Sequence, residues 1–270
     1  MSDVVRLEYR NVTMRFARQS GQDVLTALRD VSFSVNDREV VSLIGPSGCG
    51  KSTLLNIGAG LTAPSEGAAF VDGDLVRGPQ SHVAFMLQKD LLLPWRTIAD
   101  NVAFGVEIQG LPRSERRRRA QMLLESFSLA EFSHHYPHQL SGGMRQRVAL
   151  ARTLAVDPHV LLLDEPFSAV DAQTRMVLQR DLAQTLGRAG KTALLITHDL
   201  TEAVALSDRV LVMSERPGRI VDELVIDMPG RDDPIARRRN PKLDGYVAQL
   251  MDRLGIGYAS NELKGARDHA

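Results

Sequence analysis

Cysteine is almost missing from this chain. Cys49 stands alone among 270 residues, so no internal disulfide framework can form, and such usage suits a cytosolic protein. Excess charge of one sign is missing as well, because 33 Lys and Arg offset 33 Asp and Glu to a formal net charge of zero. That balance excludes a protein that holds nucleic acid or anionic lipid by bulk electrostatics alone. Long apolar runs are also lacking. Stretches such as Val160-Leu161-Leu162-Leu163 fall far short of the ~20 residues that cross a bilayer. Met1-Ser2-Asp3-Val4 carries neither a basic nor an apolar leader region, so no signal peptide is expected. Neither an internal repeat nor a low-complexity segment is found. What is present is ordinary: 43% hydrophobic and 24% charged residues, enough to bury the core of one large soluble domain, or of a core with one insertion.

Alternation marks the first strand, with Val31, Phe33 and Val35 apolar between Ser32, Ser34 and Asn36. Val4-Val5-Arg6-Leu7-Glu8-Tyr9 is a looser candidate. Val40-Val41-Ser42-Leu43-Ile44 is a short apolar run that ends in a glycine-rich turn, and a helix is expected from Lys51. Further strands are predicted at 83–87, 160–163, 193–196 and 210–213. Strands alternating with helical stretches imply a mostly parallel sheet covered on both faces. Between about residues 89 and 157 no buried strand is evident. There Ala120, Leu123, Leu124 and Phe127 line one helix face, so a helical insertion is expected. Beyond Pro229 the chain turns polar and basic, and then Leu243, Tyr246, Val247, Leu250, Met251 and Leu254 recur at amphipathic spacing. The last dozen residues are expected to be frayed.

Three segments carry chemistry. Gly45-Pro46-Ser47-Gly48-Cys49-Gly50-Lys51-Ser52-Thr53 follows a strand and precedes a helix, the context a phosphate loop requires. Its glycines let backbone N–H groups wrap an anion, and the helix aims its positive end at the same point. Lys51 would reach the β- and γ-phosphates, and the Ser52 hydroxyl would ligate Mg²⁺. Cys49 serves as a small residue, and its alkylation is expected to block nucleotide by bulk. Next, Val160-Leu161-Leu162-Leu163-Asp164-Glu165 is a buried strand ending in two carboxylates. Asp164 can face the phosphate loop and hold Mg²⁺, while Glu165, pointing the other way on an extended chain, can polarise a water. Third, Leu140-Ser141-Gly142-Gly143-Met144-Arg145-Gln146-Arg147 precedes a helix expected over 146–156. It is either a second anion cradle at a helix N-terminus or a plain helix cap by Ser141.

With these segments in order, residues 4–228 resemble the ATP-binding subunit of ATP-binding-cassette (ABC) transporters. The resemblance rests on the phosphate loop, Gln88 after a strand, the Leu140–Arg147 segment, Leu161-Leu162-Leu163-Asp164-Glu165-Pro166-Phe167-Ser168-Ala169-Val170-Asp171, and Thr197-His198-Asp199. It implies an α/β P-loop nucleoside triphosphatase core with an N-terminal antiparallel β portion and a helical insertion. The expected division is an ATP-binding domain over 1–228, with the helical subdomain at about 89–157, and a C-terminal helical extension over 229–270. It further implies a homodimer that sandwiches two MgATP, with Glu165 as general base and His198 holding the γ-phosphate. Gln88 would touch Mg²⁺ and the attacking water. Ser141 and Gly143 would contact the γ-phosphate of the ATP bound on the other copy, Asp171 ends a loop that lies along the dimer interface, and Gly142 and Asp171 count with them among the nucleotide-binding residues. Phe16 is expected to stack on adenine, or else to be a sheet-edge aromatic. Valine at position 170, where leucine is commoner in the family, is an apolar exchange of no expected consequence.

Leu91-Leu92-Leu93-Pro94-Trp95-Arg96 resembles the importer ATPases for nitrate, sulfonates, taurine and pyrimidine precursors. This implies a separate membrane permease contacted near Pro94 and Trp95, a solute-binding protein feeding it, and a peripheral place on the cytoplasmic face of the inner membrane. Trp95 could instead fill the core of the insertion. Arg116-Arg117-Arg118-Arg119, with Glu115 and Glu125 as the nearby acids, reads as a solvated helix face; no nucleic-acid partner is expected. His134, His135 and His138 lack the companions of a metal site. A cassette ATPase acting on DNA or ribosomes would bring coiled-coil insertions or a second phosphate loop, and neither is here. A small-molecule kinase would leave Leu140–Arg147 and His198 without a role.

Overall fold

The computed structural model describes residues 4–17, 24–168 and 170–256. The expected fraying of the last dozen residues, and Ala169 in the segment before Asp171, lie outside them. Among the described residues ten strands are formed: β1 (Val5–Ala17), β2 (Val24–Asn36), β3 (Val40–Ile44), β4 (Glu66–Val71), β5 (Asp74–Leu75), β6 (Val83–Met86), β7 (Val160–Asp164), β8 (Thr192–Ile196), β9 (Arg209–Met213) and β10 (Ile220–Val225). The helices are α1 (Lys51–Gly58), α2 (Ile98–Ile108), α3 (Arg113–Ser126), α4 (Gly142–Ala155), α5 (Ala172–Ala189), α6 (Leu200–Leu206), α7 (Pro234–Arg238) and α8 (Lys242–Arg253).

A six-stranded sheet in the order β10-β9-β3-β8-β7-β6 is parallel except for its antiparallel edge strand β10. A separate antiparallel sheet runs β2-β1-β4-β5. The continuous apolar runs of the parallel strands follow from burial on both faces. On β7, Val160 and Leu162 join Leu54, Leu55 and Ile57 of α1 and the antiparallel sheet, whereas Leu161 and Leu163 join the layer of α2, α3, α4 and α5. Each such side chain, fully removed from water, contributes about 1.5–3 kcal/mol of transfer free energy. Between β6 and β7 the chain is helical, with Ala120, Leu124 and Phe127 buried against α2 and α4.

Two local readings change. The helix expected from residue 146 begins at Gly142, because the Ser141 hydroxyl accepts the Met144 N–H and caps it there. Both glycines thus lie in the first turn of α4, not ahead of it. The strands β4, β5 and β10 are additional to those the hydrophobic pattern suggested. Beyond Met228, Leu243 and Leu250 of α8 pack into one cluster with Ile44, Val210 and Val212 of the parallel sheet and Ala203 and Val204 of α6. Met251 of the same stripe stays exposed.

Candidate functional site

The phosphate loop leaves the C-terminal end of β3, where the central position of that strand in a parallel sheet fixes it from both sides. Gly50 caps α1 with a left-handed backbone, φ +108°, and a Cβ there would fall 2.6 Å from a methyl of Leu28 on β2. Only glycine meets both conditions. The Lys51 ammonium is buried and folds over the loop, donating to the carbonyls of Gly45 at 2.7 Å and Pro46 at 2.9 Å. Cys49 is 1% exposed, so its thiol lies under the loop and not at the surface that a reagent would meet.

Asp164, the last residue of β7, is buried and takes a hydrogen bond from Ser52. Burial is the main force raising its pKa, opposed by Ser52 and Lys51 and reinforced by Glu165. Glu165 does not continue the strand. Its backbone turns left-handed, φ +45°, while its N–H still donates to the Ile196 carbonyl at 3.0 Å. The two carboxylates therefore part because the chain turns sharply at Glu165, not through strand alternation as the sequence suggested. A bulky residue in this conformation costs about 1–3 kcal/mol, and the surroundings enforce it: the Ser168 hydroxyl donates to the Glu165 carbonyl at 3.0 Å. The Glu165 carboxylate accepts from Gln88 Nε2 at 3.1 Å and lies 3.4 Å from His198 Nδ1. Residues 77 and 33 positions away in sequence thus converge on one carboxylate, brought there by the ends of β6, β7 and β8.

A cleft of about 280 Å³ opens over the loop, lined by Phe16, Leu25, Ala27, Ser47, Gly48, Gly50, Lys51, Ser52, Thr53, Glu165 and Arg216. Phe16 pairs with Leu25 across the β1–β2 ladder and keeps 40% of its surface exposed, an apolar plane on the rim. Ser141, Gly142, Gly143 and Asp171 do not line the cleft. Ser141 and Asp171 cap α4 and α5, with Asp171 accepting from Thr174 N–H, which lowers its pKa. Ser141, Gly142 and Asp171 are exposed.

Leu25, Ala27 and Arg216 line the cleft without having been singled out in the sequence. Asp90 was missed too. Its carboxylate meets Arg145 at 3.1 Å, and Arg152 donates to the carbonyls of Asp90 and Leu91. Helix α4 thereby holds the segment just after Gln88, and the Arg145-x-x-x-x-x-x-Arg152 spacing on one helix face was the available signal. Trp95 is 71% exposed, with Pro94 and Leu91 also in solvent, so it does not fill the helical core. Three members of the solvated arginine run are paired: Arg118 and Arg119 hold the Glu115 carboxyl down at about 2, and Arg116 reaches Glu107 on α2. Glu107, not Glu125, completes that network. His135 packs edge-on to Phe132 and His138 stacks on Tyr136.

Behind His198, the buried Glu202 accepts from Gln179 at 2.8 Å, and its carboxyl is pushed up to about 7 by burial, against a hydrogen bond from Thr197. The folded chain therefore holds a proton that the unfolded chain, at 4.5, releases earlier. The contribution to stability is full below pH 4.5 and is lost as pH rises toward 7. Glu202→Gln is expected to remove roughly 2–3 kcal/mol of stability loss between pH 4.5 and 7.5, measured by urea unfolding at several pH values. Parallel profiles for the two proteins would exclude it.

A family model described as "ABC transporter" matches residues 28–168. An uncharacterised ABC transporter ATP-binding protein of Methanocaldococcus jannaschii is 46% identical, over 83% of this chain and 83% of its own length. The taurine import ATP-binding protein of Yersinia pestis is 42% identical over 94% of this chain and 98% of its own. That of Burkholderia pseudomallei is 45% identical over 93% and 97%. Among solved structures, a dimeric ATP-binding cassette in a post-hydrolysis state bound to ADP and Pi superposes with a TM-score of 0.73 at 31% identity, covering 82% of this chain and 99% of that one.

Proposed function

Because the chain belongs to the ABC transporter family and is the ATP-hydrolysing subunit of an importer, we propose that two copies close head to tail over two ATP molecules, each site completed by residues of both. Within one copy, the backbone N–H groups of Gly45, Ser47, Gly48, Cys49, Gly50, Lys51, Ser52 and Thr53 wrap the phosphates, Pro46, which has no N–H to donate, shapes the turn between them, and Lys51 carries the charge. Phe16 offers its ring to adenine. Ser141, Gly142, Gly143 and Asp171 approach the nucleotide of the other copy; the exposure of Ser141, Gly142 and Asp171 and the place of all four outside the cleft support this division.

Ser52, Gln88 and Asp164 form a hard oxygen donor set suited to Mg²⁺. The buried Asp164 carboxyl, raised by burial beside Ser52, fits a position that a cation completes. When bound there, Mg²⁺ neutralises charge on the β- and γ-phosphates. Glu165 takes a proton from the attacking water as the oxygen bonds to the γ-phosphorus and ADP leaves. His198 orients that water and the carboxylate, and Gln88 holds Glu165 from the other side. The observation that carries the reading is the convergence of Gln88 and His198 on Glu165 at the rim of the phosphate-loop cleft.

Residues 1–228 then form the ATP-binding unit, with residues 89–157 as its helical subdomain and 229–270 as an extension. The exposed Pro94 and Trp95 dock on the permease, which a solute-binding protein feeds, and the chain sits peripherally on the cytoplasmic face of the inner membrane. The cargo is a small solute of the nitrate, alkanesulfonate, taurine or pyrimidine-precursor class, and the taurine-import relatives favour taurine. Uptake of nitrate, taurine, an alkanesulfonate and hydroxymethylpyrimidine in cells lacking the chain tests this. Loss of one solute, restored by wild type but not by Glu165→Gln, is the expected result. No loss on any of the four would reject the cargo class.

A further inference from the structure

The turn between β9 and β10 borders the cleft, which its Arg216 lines. Ser214 closes it, its hydroxyl donating to the Pro217 carbonyl at 3.2 Å and accepting the Arg219 N–H at 3.1 Å. Its tip is pinned to β2: Gly218 N–H donates to the Ala27 carbonyl at 2.9 Å, and Arg29 N–H donates to the Gly218 carbonyl at 3.0 Å. On the opposite side a Cβ at Gly218 would lie 2.0 Å from the Cys49 carbonyl oxygen. The turn backbone is therefore in contact with both β2 and the phosphate loop. From this turn Arg216 reaches across, and its Nε and Nη2 both donate to the Gly48 carbonyl, at 3.0 and 2.6 Å.

The consequence lies in one peptide plane. The carbonyl of Gly48 and the N–H of Cys49 point in opposite directions. With the carbonyl turned outward onto the guanidinium, the Cys49 N–H faces into the loop, where it meets the Pro46 carbonyl at 3.4 Å. Gly48 has a left-handed backbone, φ +75°, and with glycine on one side of this peptide and Gly50 one residue beyond it the plane has unusual freedom to rotate. A flipped plane would aim a carbonyl oxygen at the phosphates. A forked, permanently charged donor suits the task of holding an acceptor in one direction.

We propose that Arg216 is a positioning residue of the nucleotide site. It locks the Gly48–Cys49 peptide in the anion-binding orientation and, through the 214–219 turn, ties the phosphate loop to β2 on the adenine side of the cleft. This rests on the reading of the loop as the ATP site. Arg216 acts through the loop, so its loss weakens every polyphosphate, not adenine compounds alone.

The test is binding of ATP and of inorganic tripolyphosphate to the full-length wild type, Arg216→Ala and Arg216→Lys, with steady-state hydrolysis alongside. Charged hydrogen bonds of this kind correspond to about a 10- to 100-fold change in binding. Arg216→Ala is expected to weaken both ligands about 10-fold and to raise KM in step, with kcat at saturating ATP within about 3-fold of wild type. Arg216→Lys, which restores charge and one donor, is expected to recover part of the loss for both ligands. Arg216 is exposed, so an unfolded variant is not anticipated, and the Lys variant keeps the test standing if alanine unfolds the chain. Unchanged binding in Arg216→Ala, or weakening of ATP with tripolyphosphate unaffected, would overturn the proposal. Failure of the wild type itself to bind ATP would instead overturn the reading of the site.

Discussion

Glu165→Gln is expected to lower ATP hydrolysis at saturating nucleotide by at least about 100-fold, within the range that general bases contribute, while leaving ATP affinity close to wild type. The amide keeps the shape of the side chain and still accepts through its oxygen, so Gln88 retains its partner 3.1 Å away. What is lost is the ability to accept a proton from water. Nothing in the fold depends on the charge itself: the left-handed turn is held by backbone bonds to Ile196 and from Ser168, which the substitution leaves in place. The variant should therefore bind two ATP and accumulate as a closed dimer, visible as a shift to double mass by size exclusion with MgATP. His198, 3.4 Å from the same carboxylate, then loses a charged neighbour but keeps its position. Turnover within a few-fold of wild type would remove Glu165 from the role of base.

Lys51→Ala acts earlier, on binding. Its ammonium is the buried cation of the cleft floor, held by two loop carbonyls at 2.7 and 2.9 Å. Removing it deletes the charge proposed to meet the phosphates and leaves two carbonyls without their donor. Charge-assisted hydrogen bonds are worth about 1.5–3 kcal/mol each, so a loss of roughly 100-fold or more in ATP affinity is expected. Titration with a fluorescent ATP analogue in the presence of Mg²⁺ measures it directly. Lys51→Arg should not restore binding, because a planar guanidinium cannot fold over a loop shaped around a compact ammonium. Affinity within about 3-fold of wild type in the alanine variant would exclude Lys51 as the phosphate cation.

Particular residues explain how much could be read in advance. Strands β3, β7 and β8 announced themselves because every residue in them is buried, and burial on both faces leaves an unbroken apolar run. Strand β4 opens with Glu66-Gly67-Ala68, and edge strand β10 carries Asp222 and Glu223. One wet face and small or charged residues erase that signal. The start of α4 was misplaced because two glycines argue against a helix interior, whereas the Ser141 cap overrides them locally. The polar residues around Glu165 were visible as short motifs. Leu25, Ala27 and Arg216 were not, since what brings them to the cleft is pairing with segments far away in the chain. Arg216 meets Gly48 across 168 positions of sequence, a separation no local pattern records. Trp95 was ambiguous for a different reason: hydrophobicity alone does not say whether a lone tryptophan is buried or offered to a partner.

The placement of β3 between β8 and β9 has a bearing on how the protein is made. The strand that carries the phosphate loop emerges from the ribosome early, yet Ile44 finds its partner only when Val212 has been added. At about 5–20 residues per second, that is a wait on the order of 10–30 s, during most of which, until β8 is made, the apolar strand is unpaired on both edges. During this interval the nascent chain has no cleft floor and no way to grip nucleotide. Pairing with β9 fixes the second edge of the strand that carries the loop, and Arg216 follows only after it, so a chain broken before Val212 is expected to bind ATP poorly.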